Sequence, residues 1–135
     1  MALLSPSILG CDYLTLGDTI KELEAAGTDM LHLDVMDGAF VPNISFGAPV
    51  IKCLRKETNM IFDVHLMIEE PDRYLEDFKK AGADWVTVHA ESCKHLHRTV
   101  ARIHELGMKA GVALNPATPV SVLDYVIDDL DMVLV

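Results

Sequence analysis

The sequence has no long apolar run, and basic residues, aromatic residues and cysteines are all scarce. No stretch approaches the roughly 20 apolar residues that cross a membrane as a helix, so we expect no membrane-spanning segment. There are 11 Lys and Arg against 21 Asp and Glu, which gives a formal net charge of -10. This charge excludes nucleic acid and anionic membranes as partners. A small anion is still allowed, because backbone N–H groups at helix starts bind phosphate without many basic side chains.

The three cysteines, Cys11, Cys53 and Cys93, form neither a CxxC pair nor a regular framework. This pattern predicts reduced thiols and a cytoplasmic protein. The first residues, MALLSPSILGCDYL, have no basic segment and contain an early Pro and Asp, so we expect no signal peptide.

Only 6% of the residues are aromatic although 50% are hydrophobic, so the interior should be aliphatic. That composition is typical of an α/β protein, in which Val, Leu and Ile strands are covered by helices. A length of 135 residues is that of one ordinary domain, and we expect residues 1–135 to form one.

Short apolar runs alternate with helical patterns along the whole chain. The six predicted strands are residues 3–9, 29–35, 60–66, 84–90, 109–114 and 131–135. The five predicted helices are LGDTIKELEAAG, residues 46–55, EEPDRYLEDFKKAG, CKHLHRTVARIHELG and TPVSVLDYVIDDL. Strict alternation predicts parallel strands joined by right-handed crossovers.

Two architectures satisfy this alternation, an open doubly wound sheet and a closed (β/α)8 barrel. The open sheet usually carries a Gly-rich phosphate loop after its first strand, and SILGCDYLTLGD is not one. Polar residues occur instead at the ends of several strands, which favours the TIM-barrel type. Since a barrel needs eight strands and six are predicted, either the sheet is open or residues 1–135 are the N-terminal part of a barrel.

His32 and Asp34 stand two apart on one predicted strand, so their side chains share a face of the sheet. Asp63 and His65 repeat the arrangement on the next strand, and neighbouring strands lie about 4.8 Å apart. His32, Asp34 and His65 can then converge on one point. Two imidazoles and a carboxylate are the usual ligands of a divalent transition metal with open coordination positions.

Each of these residues also has an ordinary structural interpretation. A single strand-end His is often a hydrogen-bonded structural residue, and Asp34 could cap a helix or hold a turn. Met36 and Met67 either fill core space or form an apolar wall beside a small flat intermediate. Ser7 is either a turn hydroxyl or a donor to substrate.

The helix CKHLHRTVARIHELG places Cys93 and His97 four residues apart, a spacing that can hold a metal. No further ligand is predicted at that end of the helix. A solvated helix face is therefore the favoured interpretation.

The motif HLDVMDGAFVPNISFG, followed by DVHLMIEEP, resembles the ribulose-phosphate 3-epimerases, which are (β/α)8 barrels of the ribulose-phosphate-binding class. The resemblance runs from SPSIL at residue 5 through NPATPV at residue 115 to the last residue. Several separate motifs occur in the family's order and spacing. The resemblance implies a barrel of which this chain holds about the first six strands and five helices.

The resemblance also implies roles for individual residues. The matching metal ligands are His32, Asp34 and His65, the proton acceptor is Asp34, and the substrate contacts are Ser7, His65, Met36 and Met67. One divalent ion is implied, with Zn, Fe, Mn and Co all compatible with such ligands. The implied substrate is a sugar phosphate, and a homo-oligomer is allowed.

The implied reaction converts D-ribulose 5-phosphate to D-xylulose 5-phosphate at C3 through a metal-stabilised enediolate, in the pentose phosphate pathway or carbon fixation. The family pattern continues with a second Asp and with phosphate-binding loops that residues 1–135 lack. We therefore expect residues 1–135 alone to be weakly active or inactive. The alternatives are a ketohexose 6-phosphate (allulose 6-phosphate) 3-epimerase, and a non-catalytic barrel fragment that assembles with a complement.

Overall fold

A computed structural model describes residues 2–135, in which parallel strands alternate with helices. The five strands of this part are β1 (Met30–Met36), β2 (Ile61–Met67), β3 (Trp85–His89), β4 (Lys109–Ala113) and β5 (Met132–Leu134). Its four α-helices are α1 (Leu16–Ala25), α2 (Ala48–Leu54), α3 (Leu75–Ala81) and α4 (Leu96–Glu105). The strands pair in the order β1-β2-β3-β4-β5, and every pairing is parallel. The α/β prediction is confirmed, and the arrangement is consistent with part of a (β/α)8 barrel.

The predicted first strand, residues 3–9, forms a single bridge, in which Ser7 pairs with His32. The segment runs beside β1 in the parallel direction. The His32 N–H donates to Pro6 O at 2.9 Å, and the Ile8 N–H donates to His32 O at 3.3 Å. Pro6 has no N–H to contribute, and the segment has β1 on one side alone among the described elements, so a regular ladder does not form. The strand count in residues 2–135 is therefore five, and the prediction of six was one too high.

The predicted fifth helix is replaced by two short 3-10 turns, Val120–Leu123 and Ile127–Asp129. The segment VSVLDYVI is rich in β-branched residues, which lose side-chain freedom in a helix. Its end carries Asp128 and Asp129, where the helix dipole disfavours negative charge. The remaining four predicted helices are present, although their bounds are shorter than the patterns suggested.

The sheet has an apolar face and a polar face, and both are buried. Alternate residues of the strands pack under the helices and are fully buried, among them Leu31, Leu33, Phe62, Val64, Val86, Val88 and Val112. The intervening residues carry buried polar groups on the other face, namely Asp34, Asp63, His65, Thr87 and His89. None of the helices in the described residues has the length and apolar character needed to cross a membrane.

Gly111 of β4 lies directly against Thr87 of β3 on this polar face. A Cβ at Gly111 would overlap the Thr87 hydroxyl and come within 3.1 Å of the Thr87 Cβ. Thr87 is fully buried, so any shift that makes room for the new methyl group would disturb close-packed neighbours. Gly111→Ala is therefore expected to lower the free energy of unfolding by about 1–3 kcal/mol, the usual cost of overpacking.

The urea midpoint of the purified chain measures this loss. Gly10→Ala is the matched control, because a Cβ at Gly10 meets nothing within 4 Å and should leave the midpoint almost unchanged. Equal midpoints for the two variants would contradict the close approach of Gly111 and Thr87.

Candidate metal centre

The register of β1 and β2 brings four polar side chains to one end of the buried polar face. Asp34 lies opposite His65, and His32 lies opposite Asp63. Because side chains two apart on a strand share a face, all four point to the same side of the sheet. The strand parity predicted from the sequence thus agrees with the structure.

His32, Asp34 and His65 form a compact group in which one ligand atom of each lies within 4.8 Å of the others. The Asp34 Oδ1 atom is 3.2 Å from His32 Nε2 and 3.2 Å from His65 Nδ1. Within residues 2–135 this is the one group of three or more His, Cys, Asp or Glu side chains that could hold a metal ion. Two imidazole nitrogens and a carboxylate oxygen fit a divalent transition metal with positions left open for another ligand.

The electrostatics of this group favour an ionised carboxylate. Burial by itself would raise the pKa of Asp34, but hydrogen bonds from His32, His65 and Ser7 hold it well below its usual range. Burial would also lower the pKa of His32, but its hydrogen bonds to Asp34 and Asp63 outweigh that effect and raise the pKa to about 9. The cluster of carboxylates therefore attracts positive charge to the point where the ligand atoms meet.

Asp63 stands behind His32. Its Oδ2 atom accepts hydrogen bonds from His32 Nδ1 at 2.7 Å and from Ser5 Oγ at 3.2 Å, and the residue is only 3% exposed. A carboxylate on Nδ1 holds the proton there and leaves Nε2 of His32 to face Asp34. The second oxygen of Asp63 has no hydrogen-bond partner among the described residues. The sequence pattern placed Asp63 on this face, but the predicted site gave it no role.

Ser7 reaches the group from residues 3–9, the segment that pairs with β1 through a single bridge. Its hydroxyl donates to Asp34 Oδ2 at 2.5 Å and accepts from the Leu9 N–H at 3.2 Å. Ser7 therefore contacts the carboxylate of the metal group as well as its own turn. The predicted substrate contact remains a proposal.

Met36 and Met67 end their strands next to each other, since they are partners in the β1–β2 register. Each lies two residues beyond a candidate ligand, Asp34 or His65, and so on the same face. Both side chains are partly buried. The apolar wall that the resemblance implies for these two residues stays a prediction.

His89 and Glu91 complete this end of the polar face and were not predicted as site residues. His89 Nε2 lies 2.9 Å from His65 Nε2, and His89 Nδ1 lies 3.3 Å from Glu91 Oε2. Burial, and then the neighbouring His65, lower the pKa of His89. A signal existed in the letters TVH, because His89 lies two residues beyond Thr87 and so on the same face of β3, and Thr87 is the residue opposite His65.

Cys93 and His97 form no metal group in the described residues. His97 is exposed and lies 3.7 Å from Asp129, and Cys93 is half-buried before α4. The interpretation of this segment as a solvated helix face stays a prediction.

Burial raises the pKa of the Cys93 thiol to about 11, so little reactive thiolate is present at neutral pH. We expect Cys93 to react with a thiol-modifying reagent at least about tenfold more slowly at pH 7.5 than exposed Cys53, and to speed up as the pH rises toward 11. Mass spectrometry of the time course, with Cys53→Ser and Cys93→Ser variants as controls, resolves the two sites. Equal rates would contradict the burial of Cys93.

Comparison with known proteins identifies what the chain is similar to. The model of the ribulose-phosphate 3 epimerase family matches residues 3–135. The ribulose-phosphate 3-epimerase of Bacillus subtilis is 57% identical over 134 residues, which are 99% of this chain and 62% of that protein. The chloroplastic ribulose-5-phosphate-3-epimerase of Arabidopsis thaliana is 54% identical over 98% of this chain and 48% of that protein. The chain thus spans between about half and three fifths of the length of these curated relatives.

Among solved structures, a mandelate oxidase variant crystallised with 2-hydroxy-phenylacetamide superposes on 98% of this chain and 47% of its own, with a TM-score of 0.63. Its sequence is only 15% identical, so the likeness concerns the fold alone. The site residues receive no support from it.

Proposed function

The chain belongs to the ribulose-phosphate 3-epimerase family, and on that premise we propose that residues 1–135 supply the metal-binding and proton-accepting side of an epimerase. The proposed reaction interconverts D-ribulose 5-phosphate and D-xylulose 5-phosphate by removing and returning the proton at C3. The names of the curated relatives favour this substrate over a ketohexose 6-phosphate.

The convergence of His32, Asp34 and His65 is the observation that carries this proposal. A structural hydrogen-bond cluster does not require two imidazoles and a buried carboxylate aimed at one point, whereas a metal ligand set does. Asp34 is only 8% exposed, and a bound cation would offset the cost of burying its charge.

In this proposal Asp34 both binds the ion and accepts the C3 proton of the sugar. A divalent ion bound there supplies Lewis-acid stabilisation of the negative charge that develops on the substrate oxygens. Ser7 donates a hydrogen bond to the Asp34 carboxylate and fixes its orientation, while the two histidines would share the ion with it. Met36 and Met67 provide the apolar surface beside the reacting carbons.

Inversion at C3 requires that the proton return to the opposite face of the planar intermediate. One carboxylate serves one face, and Asp63 is turned toward His32 and Ser5. We therefore propose that the polypeptide of residues 1–135 on its own epimerises slowly or not at all. These three ligands do not select one metal, since Zn, Fe, Mn and Co can all be bound by two imidazoles and a carboxylate.

A chimera tests the proposal, with residues 1–135 in place of the matching segment of the Bacillus subtilis relative. We expect this chimera to form D-xylulose 5-phosphate from D-ribulose 5-phosphate, and residues 1–135 alone to be slower by about 10²-fold or more, the usual loss when one acid–base group is missing. A folded but inactive chimera would refute the proposed activity. A short chain as fast as the chimera would refute the one-sided site, and allulose 6-phosphate assayed in parallel measures the preference for pentose.

A further inference from the structure

The two histidines of the metal group each have a partner behind them, but the partners differ in kind. The His32 ring is held from behind by the Asp63 carboxylate at 2.7 Å. The His65 ring is held by a third imidazole, with 2.9 Å between His65 Nε2 and His89 Nε2. A hydrogen bond between two ring nitrogens needs an N–H on one and a lone pair on the other. Which ring donates therefore decides the state of His65.

Glu91 supplies the asymmetry that decides it. Its Oε2 atom lies 3.3 Å from His89 Nδ1, on the side of the ring away from His65. A carboxylate can only accept, so it holds a proton on His89 Nδ1. A neutral His89 with its proton on Nδ1 presents a lone pair at Nε2, and the shared hydrogen bond must then be donated by His65 Nε2.

Glu91 is itself fixed by the segment that follows β4. Its other oxygen, Oε1, accepts the Asn115 N–H at 2.7 Å and the Thr118 hydroxyl. These two bonds leave Oε2 free for His89. The Asn115–Thr118 segment thus sets the position of a carboxylate that acts on β3 and, through it, on β2.

Ring packing keeps His89 in this geometry. The His65 and His89 rings meet edge to edge, with centroids 5.0 Å apart and planes only 23° apart, as a hydrogen bond between ring nitrogens requires; the centroids of the Phe40 and His89 rings lie 4.8 Å apart. Both histidines are only 7% exposed, so water competes little for the shared hydrogen bond. If the His89 ring were turned away from this orientation, a buried ring nitrogen would be left without a hydrogen-bond partner.

We propose that Glu91 and His89 are positioning residues: Glu91 holds the Nδ1 proton of His89, and His89 Nε2 accepts the Nε2 proton of His65, which leaves His65 Nδ1 for the metal ion. The inference rests on the proposed metal site and not on the proposed epimerisation. His65 Nδ1 already faces Asp34 Oδ1 at 3.2 Å, which is the side on which the ligand atoms meet. Partners of this kind typically change metal affinity by about 10–100-fold.

Zinc affinity without substrate tests the chain of hydrogen bonds. We expect His89→Leu, which removes the acceptor, to bind Zn²⁺ about 10–100-fold more weakly in competition with a chelator. His89→Gln should recover most of the loss, because its amide oxygen can accept from His65 Nε2. His97→Leu is the matched control on an exposed histidine and should bind as the unchanged chain does. Equal affinity of His89→Leu and the unchanged chain would overturn the proposal.

Nitrogen NMR of the zinc-loaded chain gives a readout that a merely structural role would not move. The expected state has a proton on His65 Nε2 and a proton on His89 Nδ1, with Nε2 of His89 unprotonated. A His89 protonated on Nε2 would overturn the proposal even if its variants bind zinc weakly. Both measurements are repeated in the chimera, so a variant that fails to fold in the short chain is still tested there. Neither uses substrate, so their failure and an inactive chimera are separate results.

Discussion

Asp34→Asn in the chimera is expected to lower the rate of D-ribulose 5-phosphate epimerisation by about 10⁴-fold, the upper end of the range for a lost general base. The amide cannot accept the C3 proton, and it is a poorer ligand than the buried, ionised carboxylate it replaces. The substitution keeps the size of the side chain, so the packing of β1 against β2 should survive. The product formed over time measures the rate.

The control for this experiment is Asp18→Asn, an exposed carboxylate in the first turn of α1 that is expected to leave the rate unchanged. Exchange of the C3 proton with deuterated solvent separates proton removal from the return step. If Asp34→Asn still exchanges that proton at the original rate, Asp34 is not the acceptor, whatever happens to the overall turnover.

Much of the candidate site could be predicted because strand geometry is periodic. Side chains two residues apart on a strand lie on the same face, so the numbers of His32 and Asp34 are enough to place both side chains on one face. The prediction that β1 and β2 are parallel neighbours then brings His65 to Asp34, and the register of Asp34 with His65 agrees with it. These steps need only local pattern and the alternation of strands and helices.

The outer residues of the site depend on facts that the pattern does not contain. The contact between His89 and His65 requires the β2–β3 register, which places Thr87 opposite His65 and His89 two residues further along β3. The role of Glu91 requires the path of the chain after β4, which brings Asn115 and Thr118 to its carboxylate. Such contacts are set by tertiary packing, and side-chain spacing along one strand does not reveal them.

Each of the two errors in the fold has its own physical cause. The apolar letters of residues 3–9 matched a strand, yet Pro6 and the position beside β1 reduced it to one bridge. The segment after Pro119 matched a helical start, yet its β-branched residues form 3-10 turns. The number of available backbone partners decided the first outcome, and side-chain freedom decided the second.

His32→Ala and His65→Ala are each expected to reduce bound metal from about one ion per chain to almost none after dialysis. Each variant removes one of three convergent ligand atoms and leaves Asp34 with a single imidazole. The loss in affinity should exceed the roughly 10–100-fold that the removal of an outer partner costs. Metal content measured in residues 1–135 and in the chimera checks the expectation, and unchanged stoichiometry in either variant would refute the metal site.

The order of affinities distinguishes a metal centre from a structural cluster of hydrogen bonds. Asp63→Asn keeps both imidazoles and should weaken metal binding less than His32→Ala does, because Asp63 acts on the ion only through His32 Nδ1. His95→Ala removes an exposed histidine outside the group and should have no effect. If the cluster were structural, the same variants would rank by their effect on unfolding of the metal-free chain while all of them retained the same metal content. A graded loss of metal in the order His95→Ala, Asp63→Asn, His32→Ala therefore requires that the ion sits where the three ligand atoms meet.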